Sequence, residues 1–381
     1  MKKPSLRWTF FDRLRVYTFV IPQKLGEGVY FMEKQIELKH HVHDYECMWN
    51  GIEDLYSRDT QETLPPSFFF SLASFGSFCY QNTPRAELKR MIALGDGRTK
   101  QMYQFLAPIV GFEYRHYTYP TFEQALKKAK AEVCAGYPVV LGALDMYYLP
   151  YYAKLYHKEH IPFHYALMAG FDDGATECSL LDCGRYEAQR LPYDELRPAW
   201  GCSYPGLSKP NTICTVRMHA VKNKYQIAKE ALAQKAALFL HPPVSFVGSK
   251  GFDKLIQDLP KLKTGLIEED YKKLFTSLVT FLGSVPTVPN ALRGSEAQDE
   301  VSFCGGFDKI SRILYDLGDE YDAKQLLAAA VQFEKGAGVV TAITNSIVEG
   351  LTTGKDNTDE LQKLFAQTKQ IMTDGFTLLQ A

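Results

Sequence analysis

Near residue 218 the character of this chain changes, and that change limits its fold more than any other feature. Upstream, aromatic and β-branched segments alternate with Gly and Pro, and most of the 23 Tyr and 24 Phe fall there. Downstream, Ala, Leu, Lys and Glu recur at helical spacing. In 221–240 (VKNKYQIAKEALAQKAALFL) the apolar positions set Ile227, Ala231 and Leu232 on one stripe. The segments 249–261, 267–283, 305–319, 322–335 and 357–378 read the same way, so residues 219–381 are expected to form an all-helical domain. In the first part, 1–218, strands are expected within 26–40, at 138–149 and 211–217, and in a hairpin over 163–184. Helices are expected at 45–57, 98–109 and 121–136, the last capped by Thr121 with Gln124 as its box partner. Helices followed by antiparallel strands on short turns indicate an α+β layer, not alternating βαβ units.

Composition narrows the function classes. A hydrophobic share of 46% against 23% charged residues is that of a chain with a real core. Net charge is −1, so no overall field favours nucleic acid. No run approaches 18 consecutive apolar residues, which argues against a membrane span. The N-terminal segment is broken by Asp12, Arg13 and Arg15, so no signal peptide is expected. The cysteines at 47, 79, 134, 178, 183, 202, 214 and 304 include no CxxC pair and are expected to stay reduced in the cytoplasm.

One constellation carries chemistry. Asp44 is a good N-cap, which would place Cys47 in the first turn of the helix at 45–57. There the free N–H groups and the helix dipole favour a thiolate and can receive an oxyanion. The bland alternative is a buried structural thiol. In the hairpin, a three-residue loop Asp172-Asp173-Gly174 would pair Phe171 with Ala175 and set His164 directly opposite Asp182. Opposed residues share a face, so Asp182 would fix the tautomer of His164 and leave its other nitrogen for a thiol. A buried His–Asp pair kept only for structure is the competing reading. His41 and His43 with Cys47 resemble an H-x-H-x3-C metal pattern, but no fourth ligand is near, and no metal is expected. His41 or His43 is instead a candidate for the oxyanion site. In LDMYYLPYY (144–152), Asp145, Tyr147 and Tyr148 are candidates for a substrate wall, with core packing as the alternative. Lys127, Lys128 and Lys130 are expected on a solvated helix face.

The segment GYPVVLGALDMYYLPYYAKLYHKEHIPFHYALMAGFDDGATECSLLDC resembles the hallmark stretch of the butirosin biosynthesis protein H family. The resemblance covers about residues 25–217 well and the helical remainder only in outline. It implies a papain-like N-terminal domain followed by a helical one, and an acyltransferase with a Cys–His–Asp triad. Carried over by position, Cys47 is the nucleophile, His164 the base and Asp182 the orienting residue. The chain departs from the family at Glu46, where a histidine often precedes the cysteine, and at Phe68, where an acidic residue is common. The implied partners are an acyl thioester, carried by a carrier protein in the family's named member, and a small amine; no cofactor is implied. Glu46, Asp145 and Asp172 are candidate contacts for a cationic amine. A cysteine peptidase or amidase shares this fold and triad, and a catalytically silent binding protein is the reading from another class. The helical domain is left with three roles: shaping the acceptor site, forming a homodimer, or docking a carrier.

Overall fold

Strand β6 (Val139–Leu144) is buried along its whole length, which is why VVLGAL reads as a continuous apolar run. It lies between β7 (His164–Asp172) and β10 (Thr212–Met218). The computed structural model describes residues 21–24, 30–42, 49–83, 90–204, 208–282 and 306–380. Within them an antiparallel sheet runs in the order β1 (Ile21–Lys24), β2 (Tyr30–Gln35), β7, β6, β10, β5 (Phe112–Thr118). Strand β8 (Glu177–Leu181) pairs with β7 and with β9 (Gln189–Pro192), and β3 (Phe78–Asn82) with β4 (Arg90–Leu94) forms a separate ribbon. The edge strand β5 carries Glu113, Arg115 and His116, polar residues that discourage pairing with another chain.

Alternation along the strands builds two cores. Val139, Leu141, Ala166, Met168 and Ile213 face one side. There they meet α4 (Phe122–Cys134) through Phe122, Ala125, Leu126, Ala129 and Val133, spaced for one helical face. Thr121 caps α4 as expected, its Oγ1 accepting from the Gln124 amide at 3.3 Å. Helix α5 (Tyr193–Trp200) closes the same side, with Trp200 donating to the Thr212 carbonyl at 2.8 Å.

Val140, Leu167, Ala169, Cys214 and Val216 face the other way, toward α1 (Trp49–Thr60), α2 (Phe68–Ser74) and α3 (Thr99–Val110). This second core continues into the helices beyond residue 218: α6 (Lys224–Leu240), α7 (Gly248–Gly265), α8 (Glu268–Leu282), α9 (Phe307–Glu320), α10 (Lys324–Thr353) and α11 (Thr358–Gln380). Phe75 at the end of α2 packs its ring within 4.8–5.7 Å of Phe307, Phe333 and Phe376. Each such side chain, fully buried, contributes roughly 1.5–3 kcal/mol. The architecture is α+β, as the sequence pattern indicated.

Two of the boundaries that differ from expectation have a visible cause. The strand expected over 138–149 stops at Leu144, because Asp145 turns the chain and its carboxylate accepts from the Tyr147 amide at 3.1 Å. The helix expected at 322–335 runs on to Thr353. Gly336 is not a stop: a Cβ there would lie 2.3 Å from the Phe307 ring, so the glycine admits that ring. Helix α10 is also long and apolar enough, by length and composition, to cross a membrane. Polar residues interrupt its sequence, so no unbroken apolar run marks it. Its apolar face packs against α9 and α11, with Phe333, Val340 and Ile343 buried.

Candidate active site

The hairpin of β7 and β8 brings His164 and Asp182 together, though not in the register expected. The loop is longer: Asp172 pairs with Glu177, leaving Asp173 to Thr176 in the turn, where the Asp172 carboxylate accepts from the Gly174 and Ala175 amides. That change is odd in residue count and alone would put His164 and Asp182 on opposite faces. A bulge between Met168 and Gly170 shifts the pairing back by one, so Leu167 pairs with Leu181. Continuing that register sets Asp182 beside Ala166, two positions from His164 on the same face. The two side chains meet diagonally, with His164 Nε2 2.8 Å from Asp182 Oδ2 and both fully buried.

Two further groups converge on the carboxylate. Tyr151 donates to Oδ2 at 2.8 Å and Tyr152 to Oδ1 at 2.6 Å. Burial would push the Asp182 carboxyl up. Attraction to the His164 imidazole and the bonds from His164, Tyr152 and Tyr151 outweigh it and hold the group well below the usual carboxylate range. Burial, with Asp182 beside them, raises both tyrosine hydroxyls well above their ordinary value, so they remain donors. The Tyr152 ring also stands edge-on to the His164 ring, 5.5 Å between centroids. Arg185, nearly buried, donates to the Tyr151 carbonyl at 2.9 Å and lies over the Tyr152 ring at 4.8 Å.

A second histidine ties this pair to α1. His40 Nδ1 lies 2.5 Å from Asp54 Oδ2, and its Nε2 lies 3.0 Å from the Asp182 carbonyl oxygen. Both ring nitrogens face acceptors, an arrangement that only the imidazolium satisfies on both sides. Burial opposes that charge, but the Asp54 carboxylate and then the Asp182 carbonyl turn the net pKa shift upward. The other Asp54 oxygen takes His41, from its amide at 2.8 Å and its Nδ1 at 2.7 Å. His41, a candidate for the oxyanion site, is thus placed against a buried carboxylate of α1.

Asp145 braces the loop between β6 and β7. Its carboxylate accepts from the Ile161 amide at 2.9 Å and lies 2.7 Å from His160 Nδ1. Tyr147 stacks on the His160 ring at 4.1 Å and meets Tyr148 edge-on at 4.9 Å. Phe68, where the family often has an acid, is wholly buried against Phe69. Asp44, Glu46, Cys47 and His43 lie outside the described residues.

The sequence reading passed over Tyr151, Tyr152, His40 and Asp54. Their signals were present: a second Tyr-Tyr pair directly after Leu-Pro, and the acids Glu53 and Asp54 set among Ile52, Leu55 and Tyr56, all buried. Cys183 follows Asp182, and its sulfur lies within 4.8 Å of ligating atoms of His164 and Asp182. Nitrogen, oxygen and sulfur donors of this kind suit zinc. The Asp182 oxygens, however, are already shared among three donors, an arrangement suited to holding an imidazole.

Against curated proteins the chain has no match. Its residues 46–183 match the family model described as Butirosin biosynthesis protein H, N-terminal. That stretch begins one residue before Cys47, ends one residue after Asp182, and includes His164, both tyrosines and Asp54. Over residues 46–183, then, the chain is similar to the N-terminal region of the butirosin biosynthesis protein H family.

Proposed function

We propose that the chain is a biosynthetic cysteine acyltransferase, with a papain-like catalytic part over 1–218 and a helical part over 219–381 packed upon it. Cys47 is the nucleophile, His164 the acid–base group and Asp182 its orienting partner. With Nε2 bonded to Asp182, proton exchange with the thiol runs through Nδ1. His164 takes the thiol proton as Cys47 sulfur attacks the carbonyl of an acyl thioester, and the Cys47 amide receives the oxyanion. The donor's carbon–sulfur bond then breaks, and the departing thiolate takes the proton from His164. Exchange of one sulfur for another is close to isoenergetic. An amine next attacks the acyl-enzyme and loses a proton to His164; amide forms and Cys47 leaves with that proton. The partners are an acyl thioester, borne by an acyl carrier protein, and a small amine, with the reaction set in the cytoplasm. These steps call on no metal or organic cofactor.

The observation that carries this reading is the buried His164–Asp182 pair with three donors on one carboxylate, inside the family-matched stretch. The test is intact-mass analysis of wild type, Cys47→Ala and Cys183→Ala after incubation with a panel of acyl thioesters, with and without amines. An adduct on wild type and Cys183→Ala, absent from Cys47→Ala and discharged by an amine, is expected. Discharge by water alone would make the protein a hydrolase of the peptidase or amidase type. An adduct that survives Cys47→Ala and vanishes with Cys183→Ala would move the nucleophile to Cys183, the thiol beside the pair.

A further inference from the structure

The main chain of Asp182 is held as firmly as its carboxylate. Its carbonyl accepts from the Arg185 amide at 3.1 Å and lies 3.0 Å from His40 Nε2. The His40 side chain is 5% exposed, and its Nδ1 meets Asp54, whose side chain is fully buried on α1. Asp54 is itself fixed, since His41 bonds its second oxygen through both its amide and its ring. A carboxylate held on both oxygens cannot swing, so the ring it carries keeps one direction. The chain that brings in His40 is anchored too: just beyond β2, the Ile36 amide donates to the Ala169 carbonyl of β7 at 2.8 Å. One buried ring therefore bridges α1 and the residue that follows β8.

Among the described residues, the charges that face this ring are Asp54 from α1 and Asp182 from the end of β8, with His41 next in the chain. His164 meets the Asp182 carboxylate, not its carbonyl. Glu53 turns to α2, accepting from the Phe69 amide at 3.3 Å, and Arg185 lies over the Tyr152 ring. Loss of a ring proton would act unevenly on the two ends of the bridge. The proton that remains stays on Nδ1, against the charged acceptor Asp54. The Nε2 lone pair would then face the lone pairs of the Asp182 carbonyl, and the bridge would open beside the catalytic pair.

We propose that His40, in its imidazolium form, is a positioning residue for the His164–Asp182 pair. Bonded to Asp54 and to the Asp182 carbonyl at once, it fixes where the Asp182 carboxylate meets the His164 ring. A misplacement of about 1 Å there is enough to cost on the order of 100-fold in rate. This role rests on the acyltransfer reading above, in which a displaced His164 would no longer hold the Cys47 thiol as a thiolate.

The test is alkylation of Cys47 by iodoacetamide in the full chain, followed by peptide mass spectrometry at pH 6 and pH 10. His164→Ala gives the reference, since a thiol without its imidazole returns toward its ordinary pKa of about 8.5. His40→Gln should slow alkylation at pH 6 about ten-fold or more and leave the rate at pH 10 little changed. Asp54→Asn keeps the shape, removes the charge that holds the proton on His40, and should do the same. The double variant should be no slower than either single one, because both break one bridge. A general loosening of the fold would instead raise the rate at both pH values. That result, or additive losses in the double variant, would overturn the positioning role. If His164→Ala slows the reaction at pH 6 and neither His40→Gln nor Asp54→Asn does, the role is wrong while the acyltransfer reading stands. If His164→Ala has no effect, that reading fails and the role with it. Should His40→Gln not fold, Asp54→Asn decides.

Discussion

At the scale of single residues, the site depends on who holds Asp182. Asp182→Asn keeps the shape but loses the charge that steadies a protonated His164. Acyl-adduct formation on Cys47 is expected to slow on the order of 10²–10⁴-fold, measured by mass spectrometry under single-turnover conditions. Tyr152→Phe removes the 2.6 Å bond to Oδ1 and should cost about 1.5–3 kcal/mol in urea unfolding, the worth of a hydrogen bond to a charged group. His40 makes a prediction in pH. Its folded pKa lies above the ordinary 6.5, so its stabilisation is complete below that value and is lost as pH rises through the folded pKa. The gap in urea midpoint between wild type and His40→Gln should therefore narrow from pH 6 toward pH 9. A gap that widens with pH would mean that the His40 ring is held neutral. For Asp182 the sign is opposite. Its depressed pKa gives stability present above the ordinary 3.8 and lost only as pH falls through the lower folded value.

At the scale of elements, α10 shows why small residues mislead a linear reading. Gly336 and Gly338 are two residues apart in one helix, yet a Cβ meets the Phe307 ring at 2.3 Å at the first and nothing within 4 Å at the second. Gly336→Ala is expected to destabilise by about 1–3 kcal/mol through overpacking. Gly338→Ala should stabilise by up to about 1 kcal/mol through helix propensity. Paired urea titrations test the signs. The β7–β8 hairpin teaches the same point in another geometry. Alternation and the Asp-Asp-Gly turn made the hairpin legible, and both partners were named from the sequence. The register was not legible, because it depends on a longer loop and a bulge whose shifts leave an even offset. Alternation in the sequence counts residues and cannot see a bulge.

At the scale of the whole molecule, one core runs from α1–α3 into α6–α11, through the rings of Phe75, Phe307, Phe333 and Phe376. Urea unfolding should accordingly give one transition, with tyrosine–tryptophan fluorescence and far-ultraviolet circular dichroism coincident. A fragment ending at residue 218 would bare Phe68, Leu72 and Phe75 and is expected to aggregate when expressed alone. Two separate transitions would show that the parts fold independently. Local pattern along the chain determined the elements, since apolar period, caps and turn residues act within a few positions: the Thr121 cap, the apolar β6 and the helices beyond 218 are all readable there. The resemblance in 136–183 likewise named His164 and Asp182 directly. Tertiary structure alone decided that Tyr151 and Tyr152 serve Asp182, that His40 clamps Asp54 to the Asp182 carbonyl, and that Lys130, expected on a solvated face, turns over the Phe171 ring at 5.2 Å. Each of these joins residues from separate elements, and which ones meet depends on register and layer packing, which no local period in the sequence encodes.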